Sequence, residues 1–188
     1  MKLILLLICS LRTVLAIDQC ASTTQRKPGD CCNIANSVAF TSMFHSPVCR
    51  QLVPWPSDAP PSTFDADRHH ICRDECIFSE NRLLTEDLEL DMAKVVEVFM
   101  SSDEAMRPVL NSTVENCMFS YKSHIRATSE CLSGAYEFSK CVFREIFINC
   151  PVKFWTDNKE CDGLKSQAIK CPEIHLKLWR RGPPRFFD

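Results

Sequence analysis

Residues 69–76 read His-His-Ile-Cys-Arg-Asp-Glu-Cys, and two chemistries fit those types at that spacing. One is a zinc site drawing on Cys72, Cys76 and a neighbouring His69 or His70. Structural zinc is held by two pairs of close-spaced ligands, and no comparable Cys/His pair follows downstream. The other is covalent. On a helix Cys72 and Cys76 lie one turn apart on the same side, badly placed to bond to each other and well placed to tie that helix to two separate segments. The disulfide reading is the stronger, and no metal ligand is expected here.

Other groups capable of catalysis fail at their essential positions. Small secreted phospholipases place a histidine three residues after a Cys-Cys pair and a glycine-rich calcium loop before it. Here Cys31-Cys32-Asn33-Ile34-Ala35-Asn36-Ser37 has no histidine, and residues 23–30 hold one glycine. Neither a G-x-S-x-G nucleophile elbow nor an H-E-x-x-H helix occurs. Asp74-Glu75 and Glu86-Asp87 read as solvated helix faces, and His45, His69, His70, His124 and His175 as scattered surface groups. The expectation is a protein without catalytic residues or cofactor.

The compartment follows from the cysteines and the start of the chain. Lys2 precedes an apolar run from Leu3 to Leu11, and Val14-Leu15-Ala16 closes it with a small residue. That pattern reads as a signal peptide over residues 1–16, too short and too interrupted by Arg12 to span a bilayer. Cys9 leaves with it, and twelve of the thirteen cysteines remain. An even count in an exported chain implies six disulfides. Asn111-Ser112-Thr113 is a glycosylation sequon in keeping with secretion. Without Lys2 and Arg12 the chain holds 20 basic against 24 acidic residues, so nucleic acid is not an expected partner. No later stretch is apolar enough for a membrane span.

Helices must position these groups. Four glycines are few for a β-rich fold. From Thr85, a potential cap, Leu88, Met92, Val95 and Phe99 recur at helical spacing. A second helix starts near Pro108 and carries Val114, Cys117, Met118, Tyr121 and Ile125. A third follows Thr128-Ser129, with Leu132, Ala135, Tyr136, Phe143, Ile146 and Phe147 recurring, and ends before Pro151. Shorter pieces fall at 33–45, 70–79 and 162–170, and residues 53–63 form a proline-rich loop. The fold class is all-α, with six or more helices in one domain over 17–188.

The ordered cysteines carry a resemblance. Cys72-x₃-Cys76 is followed after a forty-residue gap by Cys117, then Cys131, Cys141-x₈-Cys150-Pro151, Cys161 and Cys171, with Cys20, Cys31, Cys32 and Cys49 ahead. This series resembles the insect odorant-binding proteins, and its extra cysteines and Cys150-Pro151 look like their Plus-C subgroup. The resemblance covers about Cys49 to Cys171, with 49–150 as core and 17–48 and 151–188 as extensions. The family's interlocked order (first to third, second to fifth, fourth to sixth) implies Cys49–Cys76, Cys72–Cys141 and Cys117–Cys150. Whether Cys117 or Cys131 stands fourth is open. Cys20, Cys31, Cys32, Cys131, Cys161 and Cys171 would tie the extensions down, with adjacent Cys31 and Cys32 reaching different segments.

The resemblance further implies an apolar cavity inside disulfide-braced helices, holding small volatile ligands for delivery to chemosensory receptors. The residues expected to line it are Met92, Val95, Phe99 and Met118, with Tyr121, Phe138, Phe143 and Phe147; each is also a candidate for plain core packing. A histidine would serve pH-dependent release. Trp55 and Trp155 read as packing or pocket-edge residues. A different class of function stays in view, a disulfide-rich module that binds a partner through its surface. Exchange of a terminal segment between copies would make a homodimer.

Overall fold

Proline marks where several helices begin. In the computed structural model, which describes residues 27–34, 40–55, 63–100 and 103–172, α1 is Pro28–Cys31 and α2 is Phe40–Met43. Next come α3, Pro47–Leu52, and α4, Thr63–Glu80. Then follow α5, Met92–Met100, and α6, Arg107–Ser120. The last two are α7, Ala135–Ile148, and α8, Lys159–Lys170. Pro28, Pro47 and Pro108 sit in first turns, where the missing N–H costs nothing. Side chains close other starts: Ser46 Oγ accepts from the Cys49 N–H at 3.0 Å and Asn158 Oδ1 from the Cys161 N–H at 2.9 Å. Among the described residues extended pairing is limited to two isolated bridges, Cys32 with Trp155 and Leu84 with Leu90.

The helix expected from Thr85 starts seven residues later. Leu88 takes a left-handed backbone, φ 59°, and the Leu84–Leu90 bridge closes the segment into a loop. Asp91 then caps α5, its Oδ1 accepting from the Lys94 N–H at 3.2 Å. The third helix likewise begins at Ala135, leaving Leu132 outside it and exposed. The expected piece at 70–79 extends back to Thr63, and the piece at 33–45 is represented by α2. Of the proline-rich loop, residues 53–55 are non-helical and 56–62 lie outside the described residues.

α7 is the centre of the packing, with α4, α6 and α8 against it and α5 against α6. Its fully buried Phe138 meets Phe78 of α4, Phe99 of α5 and Tyr121 edge-to-face, at ring separations of 6.2, 6.0 and 6.2 Å. Edge-to-face rings add to the burial of their area. Val142, Ile146 and Phe147 continue the same buried stripe along α7.

Disulfides then join the elements in pairs. Cys72 bonds Cys131 and Cys76 bonds Cys49, so α4 is held by one cysteine to the α6–α7 connection and by the other to α3. Cys117 bonds Cys141, α6 to α7. Two of the implied pairings are thereby corrected: Cys72 does not reach Cys141, nor Cys117 Cys150. The reason is position. Cys131 lies beside α4 just before α7 begins, whereas Cys141 faces α6 and Cys150 closes the far end of α7. The interlocked order itself survives with Cys117 fourth, Cys131 fifth and Cys141 sixth.

Cys150 instead bonds Cys32, and Cys31 bonds Cys161. The neighbouring cysteines do part company, one to the end of α7 and one to α8. Backbone bonds reinforce the seam, from the Asn33 N–H to the Phe154 carbonyl at 2.9 Å and from the Thr156 N–H to the Cys31 carbonyl at 2.7 Å. Cys171 is disulfide-bonded too. Cys20 lies outside the described residues.

Candidate functional site

The His-His-Ile-Cys-Arg-Asp-Glu-Cys segment lies inside α4, and its side chains face packed surroundings. Trp55 lays its ring against His69 at 4.5 Å and His70 at 5.5 Å, and His70 stacks on Tyr136 at 6.5 Å. His69 is buried, and so is Asp74, contrary to the solvated positions expected for them. The cause is contact: Trp55 packs on His69, and α7 packs along α4. Glu75 accepts from the Ser133 N–H at 2.8 Å and so fixes the turn before α7. His45 and His124 are exposed, and His175 lies outside the described residues. Among the described residues no cluster of three His, Cys, Asp or Glu side chains is arranged for a metal ion.

An apolar groove of about 630 Å³ lies between α5 and α6. Met92, Val96, Phe99 and Met100 form one wall. Leu110, Val114, Met118 and Phe119 form the other. The spacing explains why. On α5 positions 92, 96 and 99/100 share a face, as do 110/111, 114/115 and 118 on α6. α5 therefore has two apolar faces: Val95 and Phe99 turn into the core while Met92, Val96 and Met100 stay over 40% exposed. Asn111 and Glu115 supply polar atoms among these lining residues.

The expected pocket residues divide between groove and core. Met92, Phe99 and Met118 line the groove. Val95, Phe138, Phe143, Phe147 and Tyr121 are buried in the core, where they pack on one another's helices. Phe147 rests on Trp155 at 5.7 Å, and Lys165 covers that indole at 5.0 Å. Sequence reasoning missed Val96, Met100 and Phe119, whose signal was a second apolar stripe on α5 and an isolated aromatic beside Met118. The sequon residue Asn111 borders the groove.

This geometry suits burial of a small apolar molecule. Thioethers adapt to ligand shape, and the volume is within the usual range for ligand sites. The chain is similar to Odorant-binding protein 47 of Anopheles gambiae, 25% identical over 119 residues that take in 54% of this chain and 51% of that protein. It thus spans about half the length of the curated relative it matches. No family model and no solved structure matches the chain. The likeness and the cysteine series point to the same group of proteins, the odorant-binding proteins. Five described disulfides belong to an oxidising compartment. No described helix is long and apolar enough to cross a membrane.

Proposed function

We propose that the chain is a secreted, non-enzymatic carrier that holds a small hydrophobic molecule in the groove between α5 and α6. The observation that carries this reading is the groove itself: eight apolar side chains over about 630 Å³, beside a core in which Phe138, Phe143 and Phe147 are buried. Met92, Phe99 and Met118 are its ligand-contacting residues. Residues 1–16 are its export signal, residues 17–188 one domain, and its subgroup within the odorant-binding proteins is Plus-C. Volatile odorants or pheromones are the ligand class, and a chemosensory receptor is the destination.

Disulfides have a clear use in such a protein. A groove left open to ligand lacks the packing contacts that a filled interface would supply, and crosslinks offset the loss by restricting the unfolded chain. A second reading rests on Phe119, whose side chain is 95% exposed at the groove edge. An aromatic so presented is also what a surface-binding module would offer to a partner protein. Titration of an environment-sensitive apolar fluorophore into the oxidised protein separates the two. The carrier reading expects one-to-one saturation reversed by competing volatiles. A folded, oxidised protein that binds no probe would hand the groove to the surface-binding reading.

A further inference from the structure

The groove between α5 and α6 carries one charge. Among the described residues that line it, eight are apolar, Asn111 is neutral, and Glu115 is the single ionisable group. Asn111, Glu115 and Phe119 follow one another at four-residue spacing, so they form one ridge along α6 and one rim of the groove. The exposed Glu115 carboxylate thus stands one helical turn from the Asn111 carboxamide and one turn from the Phe119 ring. Among the described residues no lysine, arginine or histidine lines the groove. Lys94 of α5 is paired with Asp91 at 3.0 Å, and Lys122, just past α6, with Glu89 at 2.9 Å. Arg107 lies on the same ridge but eight residues before Glu115, about 12 Å along the helix axis.

We propose that the groove selects apolar amines, with the hydrocarbon body along Met92, Val96, Phe99 and Met118 and the ammonium head at the rim between Glu115 and Phe119. The inference rests on the carrier reading and names its ligand class. An uncharged apolar ligand takes water from around the carboxylate and returns no partner for it. An alkylamine is protonated at neutral pH, as a lysine side chain is, and supplies that partner. Its head keeps water on the open side of the groove, so little desolvation opposes the pair. The Phe119 side chain, 95% exposed, offers a ring face for cation–π attraction. A metal ion is a poorer match. Hard cations such as calcium gather about six oxygen ligands or more, and this rim has one carboxylate and one carboxamide.

Three probes with one body and different heads test this: 4-fluorophenethylamine, 4-fluorophenethyl alcohol and 4-fluorophenylacetate, followed by fluorine NMR on the oxidised protein. The amine should bind about three- to five-fold more tightly than the alcohol, the range of an exposed ion pair, and the acid most weakly. Added salt should narrow the gap. Glu115→Gln should bring the amine down to the alcohol's affinity while the alcohol binds at least as tightly as before, a pattern that damage to the fold does not produce. Glu86→Gln removes the same charge from an exposed position outside the groove and should preserve the preference. Equal affinity of amine and alcohol for the native protein would overturn the proposal and leave the carrier reading standing. A preference for the amine that survives Glu115→Gln, with circular dichroism intact, would also overturn it. Failure of all three probes to bind would do the same, and the fluorophore titration then tells whether the carrier reading falls with it.

Discussion

At Gly134 the chain turns with φ 73° and passes so close to Tyr121 that a Cβ would stand 2.6 Å from the ring and 2.9 Å from Ile125. Only glycine meets both demands. Gly134→Ala should lower stability by about 2–4 kcal/mol, from left-handed strain together with overpacking, read as a shift in the urea midpoint. Phe138, four residues on, gathers Phe78, Phe99 and Tyr121 around one ring. Phe138→Ala should cost roughly 3–5 kcal/mol through the cavity it leaves, measured the same way. Glu137 between them responds to pH. Its folded carboxyl titrates above its unfolded one because burial disfavours the charge. Its contribution is thus fully present below the ordinary carboxylate range and is lost as pH rises through the raised value. Glu137→Gln should therefore stabilise the protein more at about pH 7 than at about pH 4, since the amide cannot ionise. Equal gains at the two pH values in paired urea titrations would contradict that sign.

The elements were legible wherever the chain carries an explicit stop or start. Pro108 and Pro151 delimit α6 and α7 closely because proline acts through local sterics, independent of tertiary context. Apolar spacing misled at Thr85, where Leu88, Met92, Val95 and Phe99 satisfy a helical pattern yet Leu88 sits in a loop closed by the Leu84–Leu90 bridge; a left-handed residue inside that loop stops a helix that periodicity alone would start early. The disulfides show the same division. Position along α4 was enough to say that Cys72 and Cys76 reach separate segments. It was insufficient to say which, since Cys131 and Cys141 differ in where they stand relative to the start of α7. A non-reducing peptide map should recover Cys72 with Cys131 and Cys117 with Cys141; fragments joining Cys72 to Cys141 would refute this arrangement. Cys31–Cys161 and Cys32–Cys150 close separations of 130 and 118 residues, the kind of loop for which the chain-entropy effect is largest, roughly 5 kcal/mol for the first of the nested pair to form and less for the second. Replacing Cys32 and Cys150 by serine should cost about 2–5 kcal/mol, while Cys31–Cys161 still holds α1 to α8.

Over the whole molecule, α7 is surrounded and full, while the α5–α6 pair presents apolar side chains that nothing in the described chain covers completely. Composition and cysteine order anticipated a helical, disulfide-braced protein. The resemblance implied an apolar ligand site inside, among Met92, Val95, Phe99, Met118, Tyr121, Phe138, Phe143 and Phe147, and apolar residues at helical spacing suit a cavity wall and a packed core equally. Packing divides those residues between the core and the α5–α6 groove, and we propose the groove as the site. The most direct test of that location is the affinity of an apolar fluorophore for Val96→Glu, compared with the native protein under oxidising conditions. Val96 is 43% exposed, so the carboxylate reaches water and the fold is retained. A charge at the groove wall must be desolvated by any apolar ligand. Affinity should fall by about ten-fold or more, with the helical circular dichroism unchanged. Undiminished binding in the folded variant would contradict a site between α5 and α6.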